Sequence, residues 1–309
     1  MSQKYRSLFA GIAGVAFAGV VTPALAAPSC TVWPNTMAAP DLKVAVAANF
    51  FGPAKDLVTA WTAIGEPGAG KNVNICQDST GVLNTEIRAG SSGYSLFLAA
   101  DDTTPDALVG TGFVQSGATS DLYANGIPVL LALQTTVSDV QTLMPSVSSG
   151  VSATLSSQMT TSTPLSVANS QNIAVADPTP APYGDAAYMI MHDMGLWPTK
   201  GTVPTGVHSP LYGNITLTFN SVTDTTNKSG FVSKSQICAG IAPHHSSPPD
   251  YIYIAFTHSS YMRVQKGILI DSGDGTQNAL GSSLKDYMLS NSDPNFWPNF
   301  LDAHCYAPI

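Results

Sequence analysis

Three short turns carry the residue types that can do chemistry. Asn49, the pair Ser79-Thr80 and Tyr183 each stand where an apolar run gives way to a helix-like segment. Each turn offers neutral hydrogen-bonding groups and contains no Lys or Arg. A helix N-terminus presents free N–H groups and about half a positive charge, so it can hold an anion without a cationic side chain. Several such ends brought together would form a cradle for an oxyanion. The competing reading is that Asn49, Ser79 and Asp185 cap their own helices, the usual role of such residues at these positions.

The elements that must position these turns are legible from hydrophobic patterning. Leu42 to Ala48 is a continuous small-apolar run, followed by a loop through Pro53 and a helix from Ala54 to Trp61. Asn72 to Gln77 repeats the logic, with a loop at 78–81 and a helix from Val82 to Ala89. Ser95 to Ala99 and Ile127 to Leu133 read as further strands. Asn172 to Ala176 leads through a Pro-rich turn into a helix from Asp185 to Met194. Strands alternating with helices predict an α/β fold with a mainly parallel sheet, and ligands of such sheets sit beyond the carboxyl ends of the strands. Gln134 to Gln171, rich in Ser, Thr and Val, reads as a loose surface stretch. Asn214 to Asn220, with Ile215, Leu217 and Phe219 alternating, reads as a strand.

Composition narrows the function classes. The chain has 309 residues, 44% hydrophobic and only 10% charged, enough for one large domain or two lobes and too apolar for disorder. Residues 1–26 read as a secretory signal peptide: Lys4 and Arg6, an apolar run from Leu8 to Val21, and Ala24-Leu25-Ala26 before the cleavage point. Its removal would leave 10 basic against 20 acidic residues, a formal charge of −10. That balance, without a basic cluster, argues against a nucleic-acid partner, which requires a Lys/Arg stripe to displace counterions. An exported chain with Cys30, Cys76, Cys238 and Cys305 is expected to form disulfides, in any of three connectivities.

Other constellations are weaker. His244-His245 near Asp250 can be drawn as a metal site, but adjacent residues rarely turn both rings to one ion, so a solvated loop is expected. Met189, Met191, His192 and Met194 could suit copper(I), yet at helical spacing they fit core packing better. Asp271-Ser272-Gly273-Asp274-Gly275 lacks the rest of a calcium loop and reads as a polar turn. Asn214-Ile215-Thr216 and Asn227-Lys228-Ser229 match glycosylation acceptors, relevant only to a eukaryotic secretory route. No nucleophile elbow supports a hydrolase, so no enzyme activity, cofactor or metal is expected.

In order along the chain, Val44 to Lys55, Asp78 to Gly90, Leu96 to Asp101, Ile173 to Trp197 and Gly230 to Ser235 resemble the periplasmic molybdate-binding proteins of bacterial ABC transporters. Within them, Ala174-Val175-Ala176-Asp177-Pro178 and Ala181-Pro182-Tyr183-Gly184 resemble the family's second-lobe cradle. The resemblance implies a two-lobe type II periplasmic binding protein fold with the ligand cleft between lobes. It implies lobe 1 from 41–128 and 250–309, and lobe 2 from 129–249. Carried over by position, it puts ligand contacts at Asn49, at Ser79 or Thr80, near Tyr183 and Ile215, and at Ser233. Asn49 and Ser233 stand where the family has serine and tyrosine, and the shorter Ser233 leaves space that Tyr183 can fill. The implied function is a monomeric, exported solute-binding component that takes a tetrahedral oxyanion of the molybdate or tungstate type to a membrane permease. A binding protein for another small ligand, or a periplasmic hydrolase, is the alternative.

Overall fold

The structure is a computed structural model that describes residues 27–133, 153–154, 173–204, 206–227, 229–238 and 251–309. The expected signal peptide, most of the 134–171 stretch and His244-His245 lie outside the described residues. Along the chain, β1 (Ser29–Trp33), β2 (Leu42–Ala47), α1 (Phe51–Trp61), β3 (Val73–Asp78), α2 (Thr80–Arg88), β4 (Leu96–Leu98), α3 (Thr103–Asp106) and β5 (Asp121–Gly126) come first. Then follow β6 (Pro128–Leu133), β7 (Ala153–Thr154), β8 (Ile173–Ala174), α4 (Pro182–Asp193), α5 (Ile215–Thr223), β9 (Ser229–Ser233) and β10 (Tyr251–Ala255). The chain ends with β11 (Arg263–Leu269), α6 (Gly275–Leu289) and α7 (Phe296–Ala303). Short 3-10 turns precede α1 at Ala48–Phe50 and follow β9 at Lys234–Ile237.

The strands form two sheets, ordered β1-β3-β2-β4-β11-β5 and β7-β10-β6-β9-β8. The chain crosses between them at Ile127 and again between Ala255 and Arg263. The expectation of a mainly parallel sheet is corrected. Parallel pairing holds for β2 with β3 and β4, and for the edge pairs β10-β7 and β8-β9. The strands next to the crossings, β5, β6, β10 and β11, pair antiparallel with one another or with β4 and β9. The physical reason is the connectivity: a strand that re-enters a sheet from the other lobe needs no crossover helix and can run back antiparallel. The segment from 250 was expected in lobe 1, whereas β10 pairs with β6 in the second sheet and the return to the first begins at Arg263.

Packing follows from the same patterns. β2 is buried along nearly its whole length because both faces of the first sheet are covered. One face packs Leu57, Val58 and Trp61 of α1 with Leu284 and Met288 of α6 and Trp297 of α7. The other packs Leu83 and Ile87 of α2 on Phe97 and Ile268. In the second sheet, Ala187, Ile190 and Met191 of α4 pack with Trp197, Phe231 and Ile254. Met191 is core, while His192 is half-exposed beside Asp193, so the Met/His group does not converge as a metal site. Between the sheets lies a cluster of small residues, Ala47, Ala48, Ala100, Ala176 and Ala181, with Tyr183 and Ile215.

Two further expectations are settled here. Residues 214–220 begin a helix, not a strand. The Asn214 side chain accepts from the Leu217 N–H, and Ile215, Thr218 and Val222 form one buried face at helical spacing while Leu217 turns outward. The 271–275 segment is a polar turn that ends by capping α6, with Asp274 accepting from the N–H groups of Thr276 and Gln277. Of the three possible cysteine pairings, the structure has Cys30–Cys76, joining opposed residues of β1 and β3, and Cys238–Cys305, tying the exit of the second sheet to the C-terminal tail. No described helix is long and apolar enough to cross a membrane.

Candidate functional site

Where the strand ends of the two sheets face each other, Ala47, Ala48, Asn49, Ser79, Thr80, Ala100, Ala181, Pro182, Tyr183 and Ile215 enclose one small cavity. In this closed arrangement the cavity is small, with room for about one water molecule. Alanines occupy many of the wall positions; longer side chains there would fill the space.

Four helical N-termini end on this cavity: the 3-10 turn at Ala48 leading into α1, α2 at Thr80, α4 at Pro182 and α5 at Ile215. The first-turn N–H groups of a helix have no intrahelical acceptor, so such ends carry free donors and partial positive charge. Side-chain capping does not consume these ends at α1, α2 or α4. Ser79 stands at the N-cap of α2 without making a cap hydrogen bond, and the same holds for Phe50 before α1 and Ala181 before α4. The capping alternative for Asn49, Ser79 and Asp185 is thereby overturned. Ser79 is 4% exposed, and its Oγ has no hydrogen-bond partner among the described residues. Leaving a hydroxyl buried and unpaired costs about 1–3 kcal/mol, which a bound acceptor would recover. Thr80 Oγ1 accepts from the Ala100 N–H at 2.9 Å, which leaves its own proton to donate.

The lining carries no charged side chain, but a carboxylate stands close by. Asp78 accepts from the Ser79 N–H at 2.6 Å and from Asn214 Nδ2, across the cleft, at 3.0 Å. Burial pushes its carboxyl above the ordinary range, against the lowering effect of those two bonds. The lobes also touch at Gly81, whose N–H donates to the Pro180 carbonyl at 2.9 Å. A Cβ at Gly81 would stand 2.8 Å from Pro180 Cα, so only glycine permits this approach.

The structure brings Asn49, Ser79, Thr80, Tyr183 and Ile215 to one cavity. Ser233 is not on its wall: it lies behind Tyr183, with its Oγ 3.0 Å from the Tyr183 hydroxyl. Burial pushes the Tyr183 phenol well above its ordinary pKa, so it stays protonated. Sequence reasoning missed the network behind the cavity, in which Gln265, Tyr123 and Tyr306 contact Asn49 or its partners. Only Gln265 left a trace, as a polar residue inside a β-strand.

A two-sheet α/β fold crossed twice by the chain, with its cavity at the facing strand ends, defines the class of solute-binding proteins that close two lobes on a ligand. The chain belongs to the bacterial extracellular solute-binding protein family, whose model matches residues 42–293. It is 30% identical over 200 residues to the molybdate-binding protein ModA of Azotobacter vinelandii, covering 64% of this chain and 67% of that one. It is 30% identical over 163 residues to ModA of Rhodobacter capsulatus, spanning 52% of this chain and about half, 54%, of that relative. Among solved structures it is similar to the Azotobacter vinelandii periplasmic molybdate-binding protein, with a TM-score of 0.62, 21% identity, and 87% and 99% of the two chains covered. It is similar also to the sulfate-binding protein SubI of Mycobacterium tuberculosis H37Rv, with a TM-score of 0.55, 11% identity, and 87% and 86% covered.

Proposed function

We propose that this chain is the exported solute-binding component of an ABC transporter and that it takes a tetrahedral oxyanion of the molybdate or tungstate type into the cavity between its lobes. One observation carries the reading: four helical N-termini and the unpartnered Ser79 hydroxyl meet at one small cavity between the lobes, with no cationic side chain in its wall. Neutral donors arranged this way select for a compact anion by size and by hydrogen-bond count. The relatives named as molybdate-binding support the same ligand class. Asn49, Ser79, Thr80, Tyr183 and Ile215 are the proposed contacts, the last two through their backbone N–H groups, and Ser233 supports Tyr183 from behind.

In this reading the protein binds stoichiometrically and turns nothing over; the ligand passes to a membrane permease. Export by the signal peptide to the periplasm suits that role, as does a monomer. The net acidic charge does not oppose an anion, because salt screens distant carboxylates over about 8 Å while the helix ends act at contact. The test is thermal unfolding of the mature chain with molybdate, tungstate, sulfate and phosphate. Ligand at 100 times its dissociation constant adds about 2.7 kcal/mol, so a rise of roughly 5 to 10 °C is expected with molybdate or tungstate. No rise with any of the four would reject the oxyanion reading and leave the fold intact.

A further inference from the structure

We propose that Gln265, a residue outside the cavity wall, determines which oxyanions the site prefers because its amide turns together with that of Asn49 and so governs which end of the Asn49 amide is left to the ligand. The proposal rests on the oxyanion reading above and deepens it. Asn49 lines the cavity and is 2% exposed; its Nδ2 donates to Gln265 Oε1 at 3.1 Å and contacts the Tyr306 hydroxyl at 3.1 Å. Its backbone carbonyl is used as well, accepting from Ser235 Oγ at 3.0 Å and from the Tyr306 hydroxyl at 3.2 Å. Asn49 Oδ1 is left buried with no partner among the described residues. A residue of the cavity wall therefore keeps one unmatched acceptor.

Gln265 holds it so. Fully buried in β11, its Oε1 accepts from Asn49 and from the Tyr123 hydroxyl at 2.8 Å, and its Nε2 donates to the Tyr183 hydroxyl at 3.0 Å. The two amides are locked together. Turning one alone would set N–H against N–H or carbonyl against carbonyl. Turning both keeps the pair matched: Gln265 Nε2 would donate to Asn49 Oδ1, Gln265 Oε1 would accept from Tyr183, and Tyr123 would keep its bond to the Ala99 carbonyl, 2.9 Å away. The Asn49 NH₂ would then serve the ligand.

The two settings suit different anions. An acceptor matches an oxyanion that keeps a proton at neutral pH, such as hydrogen phosphate, and opposes one that carries none, such as molybdate. A donor setting reverses the preference. Because Gln265 also holds Tyr183 of the opposite lobe, the setting is shared across the cleft.

The test measures the affinity of the intact mature protein for molybdate and for hydrogen phosphate by calorimetry, in the unmodified chain and in Gln265→Glu, Gln265→Met, Asn49→Ser and the double variant Asn49→Ser/Gln265→Glu. The unmodified pair can turn together and offer molybdate the Asn49 NH₂; a carboxylate at 265 offers Asn49 only acceptors, so it blocks that turn and keeps Oδ1 toward the ligand. The molybdate-to-phosphate affinity ratio should fall about tenfold or more, the scale of one charged hydrogen bond. Gln265→Met frees the amide to turn, and the ratio should rise. In the Asn49→Ser background, Gln265→Glu should weaken both anions equally, through its charge, and leave the ratio unchanged. A ratio within twofold of the unmodified chain in both single variants at 265 overturns the proposal, as does an equal ratio change in the Asn49→Ser background. If the unmodified chain binds neither anion, the oxyanion reading itself falls and this proposal with it.

Discussion

The first sheet faces the cavity with polar side chains, Ser79 at the N-cap of α2, Thr80 on α2 and Asn49 before α1, whereas the second faces it with Ala181, Pro182, Tyr183 and Ile215. The first side can change its hydrogen-bond pattern by substitution; the second offers mainly main-chain N–H groups in the first turns of α4, after Pro182, and α5, which persist with any residue except proline. Selectivity should therefore reside on the first side and closure on the second. Among the contacts joining them, Gly81 to Pro180 and Asn214 to Asp78 lie beside the cavity and form only when the lobes are together.

The largest effect should come from spoiling that junction. Gly81→Val places a Cβ where Pro180 already stands, so the lobes cannot close fully. Molybdate affinity should drop by about a hundredfold, with the melting temperature of the ligand-free chain nearly unchanged, since neither lobe core is touched. Calorimetry and a melting curve together check this; unchanged affinity would mean that closure does not need the Gly81 contact.

A direct contrast of the two sides comes next. Ser79→Ala should weaken oxyanion binding by roughly tenfold to a hundredfold, through loss of a charged hydrogen bond worth about 1.5–3 kcal/mol. Ile215→Val, which keeps the main-chain N–H, should change it by less than about threefold. Equal losses in the two variants would erase the division between side-chain and main-chain donors.

The smallest effect concerns charge. Burial raises the Asp78 carboxyl, so it ionises at a higher pH than an ordinary aspartate. The folded chain then holds this proton more tightly than the unfolded one, and the stabilisation present at low pH is lost as pH rises through the raised value. An anion beside Ser79 should likewise bind more weakly as Asp78 ionises. Asp78→Asn should raise affinity about two- to threefold at neutral pH and flatten this dependence; a titration across pH 4 to 8 that stays as steep as in the unmodified chain would contradict the assignment.

Much of this site was legible because strand-to-helix turns have local signatures. Ala47-Ala48-Asn49, Asp78-Ser79-Thr80 and Ala181-Pro182-Tyr183 each combine small residues with a helix start, and all three reach the cavity. Residues 214–220 were misread because two of the three alternating apolar side chains, Ile215 and Phe219, do pack inward or partly so, while Leu217 is 48% exposed. Only the Asn214 cap marked the helix. Tyr306 was not legible at all, and Gln265 only as a polar residue inside a strand: they reach Asn49 from 257 and 216 residues away in the chain, through a buried network that no local pattern encodes. The antiparallel β11 has the same origin, since its place depends on where the chain re-enters the first sheet.

The most direct measurement is a calorimetric titration of the mature chain with molybdate, beside the same titration of a Ser79→Ala/Thr80→Val variant. One ion bound per chain, with binding lost or weakened by more than about a hundredfold in the variant, is the expected result. No binding by the unmodified chain, or equal binding by the variant, would contradict an oxyanion site built from neutral donors between the lobes.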